Sequence, residues 1–157
     1  MKLLLTALLV AASAGVTTSA DDKPLSGDLA KLQGKWKALV GTNKDQDLTW
    51  EFKGEKLVAK GKTGNGGEDY MTTSTVAIDE SASPKRLDQS HFVVAIEGKG
   101  EIEQESTLLA IYKLKGDELI ICSGSFDGER PMSFEDRDKG GEPIVFKRVR
   151  NGAASKE

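Results

Sequence analysis

From Gly34 to Arg150, apolar side chains recur at every second position in short runs, and glycine-bearing turns separate many of those runs. A period of two is that of a strand with one buried face, and no convincing helix or parallel crossover fits between the runs. In Lys35-Trp36-Lys37-Ala38-Leu39-Val40, Trp36, Ala38 and Val40 share one face while Lys35 and Lys37 take the other. Trp50 and Phe52 flank Glu51, and Leu57 and Ala59 alternate with Lys56, Val58 and Lys60. Lys53-Gly54-Glu55 and Lys115-Gly116-Asp117 have the length and composition of tight hairpin turns. Met71–Ile78, Arg86–Glu97, Thr107–Leu114, Glu118–Ser123 and Ile144–Arg150 complete the predicted strands.

About eight antiparallel strands in sequence predict a meander. An open sheet would leave two edges and one apolar face in water, so closure into a barrel, or a strongly curved sandwich, follows; the expected fold is all-β, closed as a barrel over residues 29–150. A short helix precedes it in Ser26-Gly27-Asp28-Leu29-Ala30-Lys31-Leu32-Gln33, with Ser26 as N-cap, Asp28 in the first turn and Gly34 ending it. Gly61–Asp69, with its four glycines, and Gly124–Glu142 read as irregular. The stretch carrying Glu97, Glu101, Glu103 and Glu105 reads as a charged, turn-rich connection.

The N-terminal twenty residues have a different character. Lys2, the apolar run Leu3–Ala12 and the small residues ending in Thr18-Ser19-Ala20 form the three parts of a secretory signal peptide. Cleavage is expected after Ala20, because the apolar run falls short of the ~20 residues that cross a bilayer. Residues 21–28 then form a lead and 151–157 a polar tail, so the expected location is periplasmic or extracellular, with no stable membrane anchor. Beyond Ala20 the chain has 21 Lys and Arg against 25 Asp and Glu, a net charge of 21 − 25 = −4. That balance does not favour nucleic acid or anionic membranes. A single cysteine excludes a disulfide scaffold.

Residues with chemical potential are few. Cys122 lies in the apolar run Leu119-Ile120-Ile121-Cys122 with no basic neighbour, so it is expected as a small buried hydrophobe and not as a nucleophile. His91 is the one histidine, which removes any multi-histidine metal site; a surface or rim position is expected, with haem ligation as the alternative. Asn43-Lys44-Asp45-Gln46-Asp47 and Asp136-Arg137-Asp138-Lys139-Gly140-Gly141 offer oxygens at alternate positions. Each lacks the remaining residues of a calcium loop, with Leu48 where the glycine belongs and Lys147 where the closing glutamate belongs. Gly64-Asn65-Gly66-Gly67 has no following Gly-Lys-Ser/Thr or helix and reads as a flexible connection, not a phosphate cradle. Arg130-Pro131 places a rigid guanidinium fork in the long loop, for a carboxylate that is either internal or a ligand's.

Gly34-Lys35-Trp36, at the exit of a short helix and the start of the first strand, is similar to the G-x-W signature of lipocalin-like barrels. The pattern continues through Ser83-Pro84-Lys85-Arg86-Leu87-Asp88, Ile111-Tyr112-Lys113-Leu114-Lys115-Gly116-Asp117-Glu118-Leu119 with Cys122, then Glu129-Arg130-Pro131 and Phe134. From about Leu29 to Arg150 the chain resembles a family of small exported lipocalin-like domains of unknown function, abundant in Planctomycetes. Thr75-Val76-Ala77-Ile78-Asp79 departs from the Gly-x-Tyr/Phe-x-Leu strand usual in that family. The resemblance implies that Trp36 plugs one barrel end against a basic side chain of the last strand, for which Arg148 is the candidate. It implies no reaction, cofactor or catalytic residue.

The expectation is therefore a non-enzymatic exported barrel, with no cofactor and no metal, holding a small, partly apolar ligand in its mouth. Trp50, Tyr112 and Arg130 are the expected ligand contacts, and Trp36, Arg148 and Cys122 the structural residues. The alternative is a filled barrel acting as an envelope or protein-interaction module. Filling of the interior by inward side chains separates the two.

Overall fold

The computed structural model describes residues 24–64 and 67–150. The expected signal peptide, residues 21–23 of the lead and the tail 151–157 lie outside the described residues. The chain runs α1 (Gly27–Leu32), β1 (Gly34–Val40), β2 (Gln46–Lys53), β3 (Lys56–Lys62), β4 (Asp69–Asp79), β5 (Lys85–Ile96), β6 (Gly100–Gln104), β7 (Leu108–Lys115), β8 (Glu118–Phe126) and β9 (Ile144–Arg148). Neighbouring strands follow the order β4-β3-β2-β1-β9-β8-β7-β5, and β4 also pairs with β5. That last pairing closes eight antiparallel strands into a barrel, with β6 left outside the ring.

The hairpins form where the glycines predict them. Lys53 pairs with Lys56 and Lys115 with Glu118, so each turn has two residues. Gly54 and Gly116 hold φ of 62° and 59°, the left-handed value that the first position of a primed hairpin turn demands. Closure at the opposite seam is thinner. β9 contributes five residues and registers with β1 at only two pairs, Trp36 with Arg148 and Lys37 with Lys147.

Along the edge opposite β4, β5 serves two partners. Its first half, Lys85–Gln89, pairs with β7, and its second half, Phe92–Ile96, pairs with β6. His91 lies between them at φ 52°, where the register with β4 slips between Thr73 and Thr75. The extra residue turns the strand by one position, so Gln89 and Phe92 both face inward. Two expectations are corrected here. The Glu101 to Glu105 region holds a strand, because β6 can pair with β5 along its backbone while all five of its side chains stay exposed. Ser26 has extended backbone angles but makes no capping hydrogen bond through its side chain; the Glu80 carboxylate accepts the Asp28 N–H instead, at 2.6 Å.

Inward positions fill the barrel. Trp36, Phe52, Leu57, Leu87, Tyr112, Leu119, Ile121 and Phe146 are each at most 2% exposed. Trp50 lies against Phe146 with ring centroids 4.6 Å apart, and edge-on to Phe52 at 6.1 Å. Each such side chain contributes about 1.5–3 kcal/mol on burial, so this one cluster is the main source of stability. A second, smaller apolar contact lies outside the ring. Ile111 and Cys122, register partners on the outward faces of β7 and β8, are fully buried beneath the segment 127–143 that carries Pro131.

Candidate functional site

One end of the barrel is sealed by α1 and by the polar residues that hold it there. Asp28 is 3% exposed, and its carboxylate accepts hydrogen bonds from Lys85 (2.6 Å), Lys31 (2.9 Å) and the Tyr112 hydroxyl (2.9 Å). Burial pushes the Asp28 carboxyl up, but those three donors outweigh burial and hold it down at about 2. Burial, followed by the hydrogen bond to Asp28, raises the Tyr112 hydroxyl far above its ordinary range. Gly27 adopts φ +62°, and a Cβ there would overlap the Glu80 carboxylate, so the helix start requires glycine.

Trp36 lies beneath α1 and donates its indole N–H to the Leu32 carbonyl at 2.8 Å. The Arg148 guanidinium is 4.1 Å from the Trp36 ring centroid, the contact that the lipocalin-like resemblance implies. Arg148 also donates to the carbonyls of Gln33 and Lys31 and to Asp117, satisfying carbonyls at the exit of α1. Gln33 in turn clasps the β2–β3 turn through both the N–H and the carbonyl of Gly54. Every polar group named at this end has a partner within the chain, which is the arrangement of a plug.

The other end is open. A cavity of about 1220 Å³ lies at its rim, between the segment after β1 and the β5–β6 turn. Gly61, Tyr70 and Ile96, one row of register partners on inward positions, line it together with Lys60, Met71 and Glu101 from outward positions. Trp50, Ala59, Thr72 and Val94 form the next inward row below. Trp50 and Ala59 are buried there, so the hollow stops at the rim. A second hollow of about 670 Å³ follows the thin β1–β9 seam, where Leu39 and Val145 are exposed.

The three expected ligand contacts do not meet. Trp50 belongs to the packed interior and Tyr112 to the plug, where its hydroxyl is spoken for by Asp28. Arg130 lies on the outside, donating through Nη1 and Nη2 to Asp88 on β5 and through Nη1 to the Ala110 carbonyl. It fastens the long segment to the barrel wall, which is the internal pairing weighed for it above. None of the three lines the rim cavity. Cys122 is buried under the same segment, its thiol raised by burial and directed at the Gly141 carbonyl, 3.5 Å away. His91 is exposed and hydrogen-bonds to its neighbour Ser90. Asp136 accepts the backbone N–H groups of Met132 and Lys139, a use within its own turn. Sequence reasoning missed Asp28 as the centre of the plug, since its partners Lys85 and Tyr112 are 57 and 84 positions away.

No family model, curated protein or solved structure matches this chain.

Proposed function

We propose that this chain is an exported, non-catalytic, lipocalin-like barrel whose role is protein interaction in the envelope or outside the cell, exercised through its exterior. The filled interior supports this reading. Trp36, Trp50, Phe52, Tyr112 and Phe146 occupy the space in which a solute carrier would hold its cargo. Asp28, the one charged residue buried among the described residues, is consumed in holding the plug. Export rests on the signal-like segment before Asp21. Secretion of a protein that has lost residues 1–20, read by mass spectrometry, checks that part; an intact Met1 on the recovered protein refutes it.

A second reading has one observation in its favour. The rim cavity is large enough for a small molecule and offers Tyr70, Met71 and Ile96 beside charged side chains. A thermal-shift screen with fatty acids, haem and aromatic metabolites divides the two. Silence across these chemically different probes supports the interaction module. A shift of several degrees that Tyr70→Ala abolishes transfers the function to the rim cavity.

A further inference from the structure

Resting on the interaction reading, we propose that the free edge of β6 is the docking surface, and that its partner is an extended peptide segment carrying Lys or Arg at alternate positions. Every other strand has a partner on both sides in the barrel ring, with the thinnest pairing at the β1–β9 seam. β6 pairs with β5 along Phe92–Ile96 and has no further strand beyond it among the described residues. Its outer side therefore presents backbone N–H and carbonyl groups to solvent, the template on which a peptide adds as the next strand.

The side chains state what such a strand must carry. Glu101 and Glu103 point outward with their register partners Ala95 and Val93, and among the described residues neither is in an ion pair. Each borders a hollow. Glu101 lines the rim cavity, and Glu103 lines a groove of about 260 Å³ shared with Thr73, His91, Val93, Glu105 and Lys56. A lysine or arginine at the facing position of an added strand would have its charge within reach of the carboxylate. On the opposite face, Ile102 follows Val94 in register and is 61% exposed, so a partner strand would set an apolar residue beside it.

A second copy of this chain is a poor occupant. Two β6 edges meeting antiparallel would set glutamates against glutamates, and like charges facing one another across a strand pair are destabilising. The same side chains that repel a copy attract a basic strand, with two opposite-charge pairs and one apolar pair available along five residues.

The test uses the mature protein and a dye-labelled, end-blocked peptide of alternating lysine and valine, followed by fluorescence anisotropy. Saturable binding is expected, weakened about tenfold by the double charge reversal Glu101→Lys with Glu103→Lys. Binding should also be abolished by N-methylation of alternate peptide residues, which removes backbone donors while leaving the charges in place. Both glutamates are exposed, and an unchanged urea midpoint shows that the variant is folded. Absence of binding overturns the edge assignment, as does equal binding by the charge-reversed protein or of the N-methylated peptide. The interaction reading stands or falls separately on the small-molecule screen above, so its failure and that of the edge are distinguishable.

Discussion

Replacing Asp28 with asparagine keeps the shape of the side chain and removes its charge, so it isolates what the buried carboxylate does for the plug. Asp28 carries a carboxyl held at about 2 against an ordinary 3.8, under hydrogen bonds from Lys85, Lys31 and Tyr112 that overcome the cost of its burial. With the folded value below the unfolded one, the ionised group contributes stability that is fully present above about pH 5. That contribution disappears as pH falls through 3.8 towards 2. Its size follows from the gap between the two values, at about 1.4 kcal/mol per pH unit, and comes to about 2 kcal/mol. Urea unfolding of wild type and Asp28→Asn at pH 6 should therefore differ by about 2 kcal/mol in favour of wild type. At pH 2.5 the folded carboxyl is still partly ionised but the unfolded one is almost fully protonated, so most of that difference should be gone. Other carboxylates also titrate in this range, but they are common to both proteins and cancel in the comparison. Equal stability at pH 6, or a deficit that persists undiminished at pH 2.5, would refute the assignment of the charge as the fastener of α1.

Arg148→Met removes the guanidinium over Trp36 together with its bonds to Gln33, Lys31 and Asp117, and should cost about 2–3 kcal/mol in urea unfolding. Arg148→Lys should recover less than half, because a point charge cannot span those acceptors; full recovery would show that charge alone matters. Cys122 is buried and its thiol is raised by that burial, so iodoacetamide at pH 8 should modify it only in urea. Alkylation of the native protein at the rate of a free thiol would show that the 127–143 segment does not cover it.

The barrel was legible because its signals are local. Gly54 and Gly116 punctuate their hairpins, and the alternation of Trp36, Ala38 and Val40 orients β1 without any knowledge of distant residues. β6 was not legible, since Glu101, Glu103 and Gln104 are poor strand formers and Ile102 alone does not establish an alternation. Only β5 alongside makes that segment a strand. The same alternation sent Trp50 and Tyr112 inward but carried no measure of how many large side chains would meet there. The interior is full because four strands each contribute an aromatic ring to one cluster, β1 with Trp36, β2 with Trp50, β7 with Tyr112 and β9 with Phe146. Arg130 showed its need for a carboxylate; that Asp88 would supply it depended on β5 and the long segment meeting outside the wall.

The shortness of β9 has a consequence for how this chain closes. Five residues stand between β8 and β1, and the contact of Arg148 with Gln33 spans 115 positions. Until Arg148 is in place, the polypeptide has two ragged margins and nothing to stitch them together. A chain released before Ile144 is therefore expected to clump with its fellows through those margins, where one missing only its final tail would not.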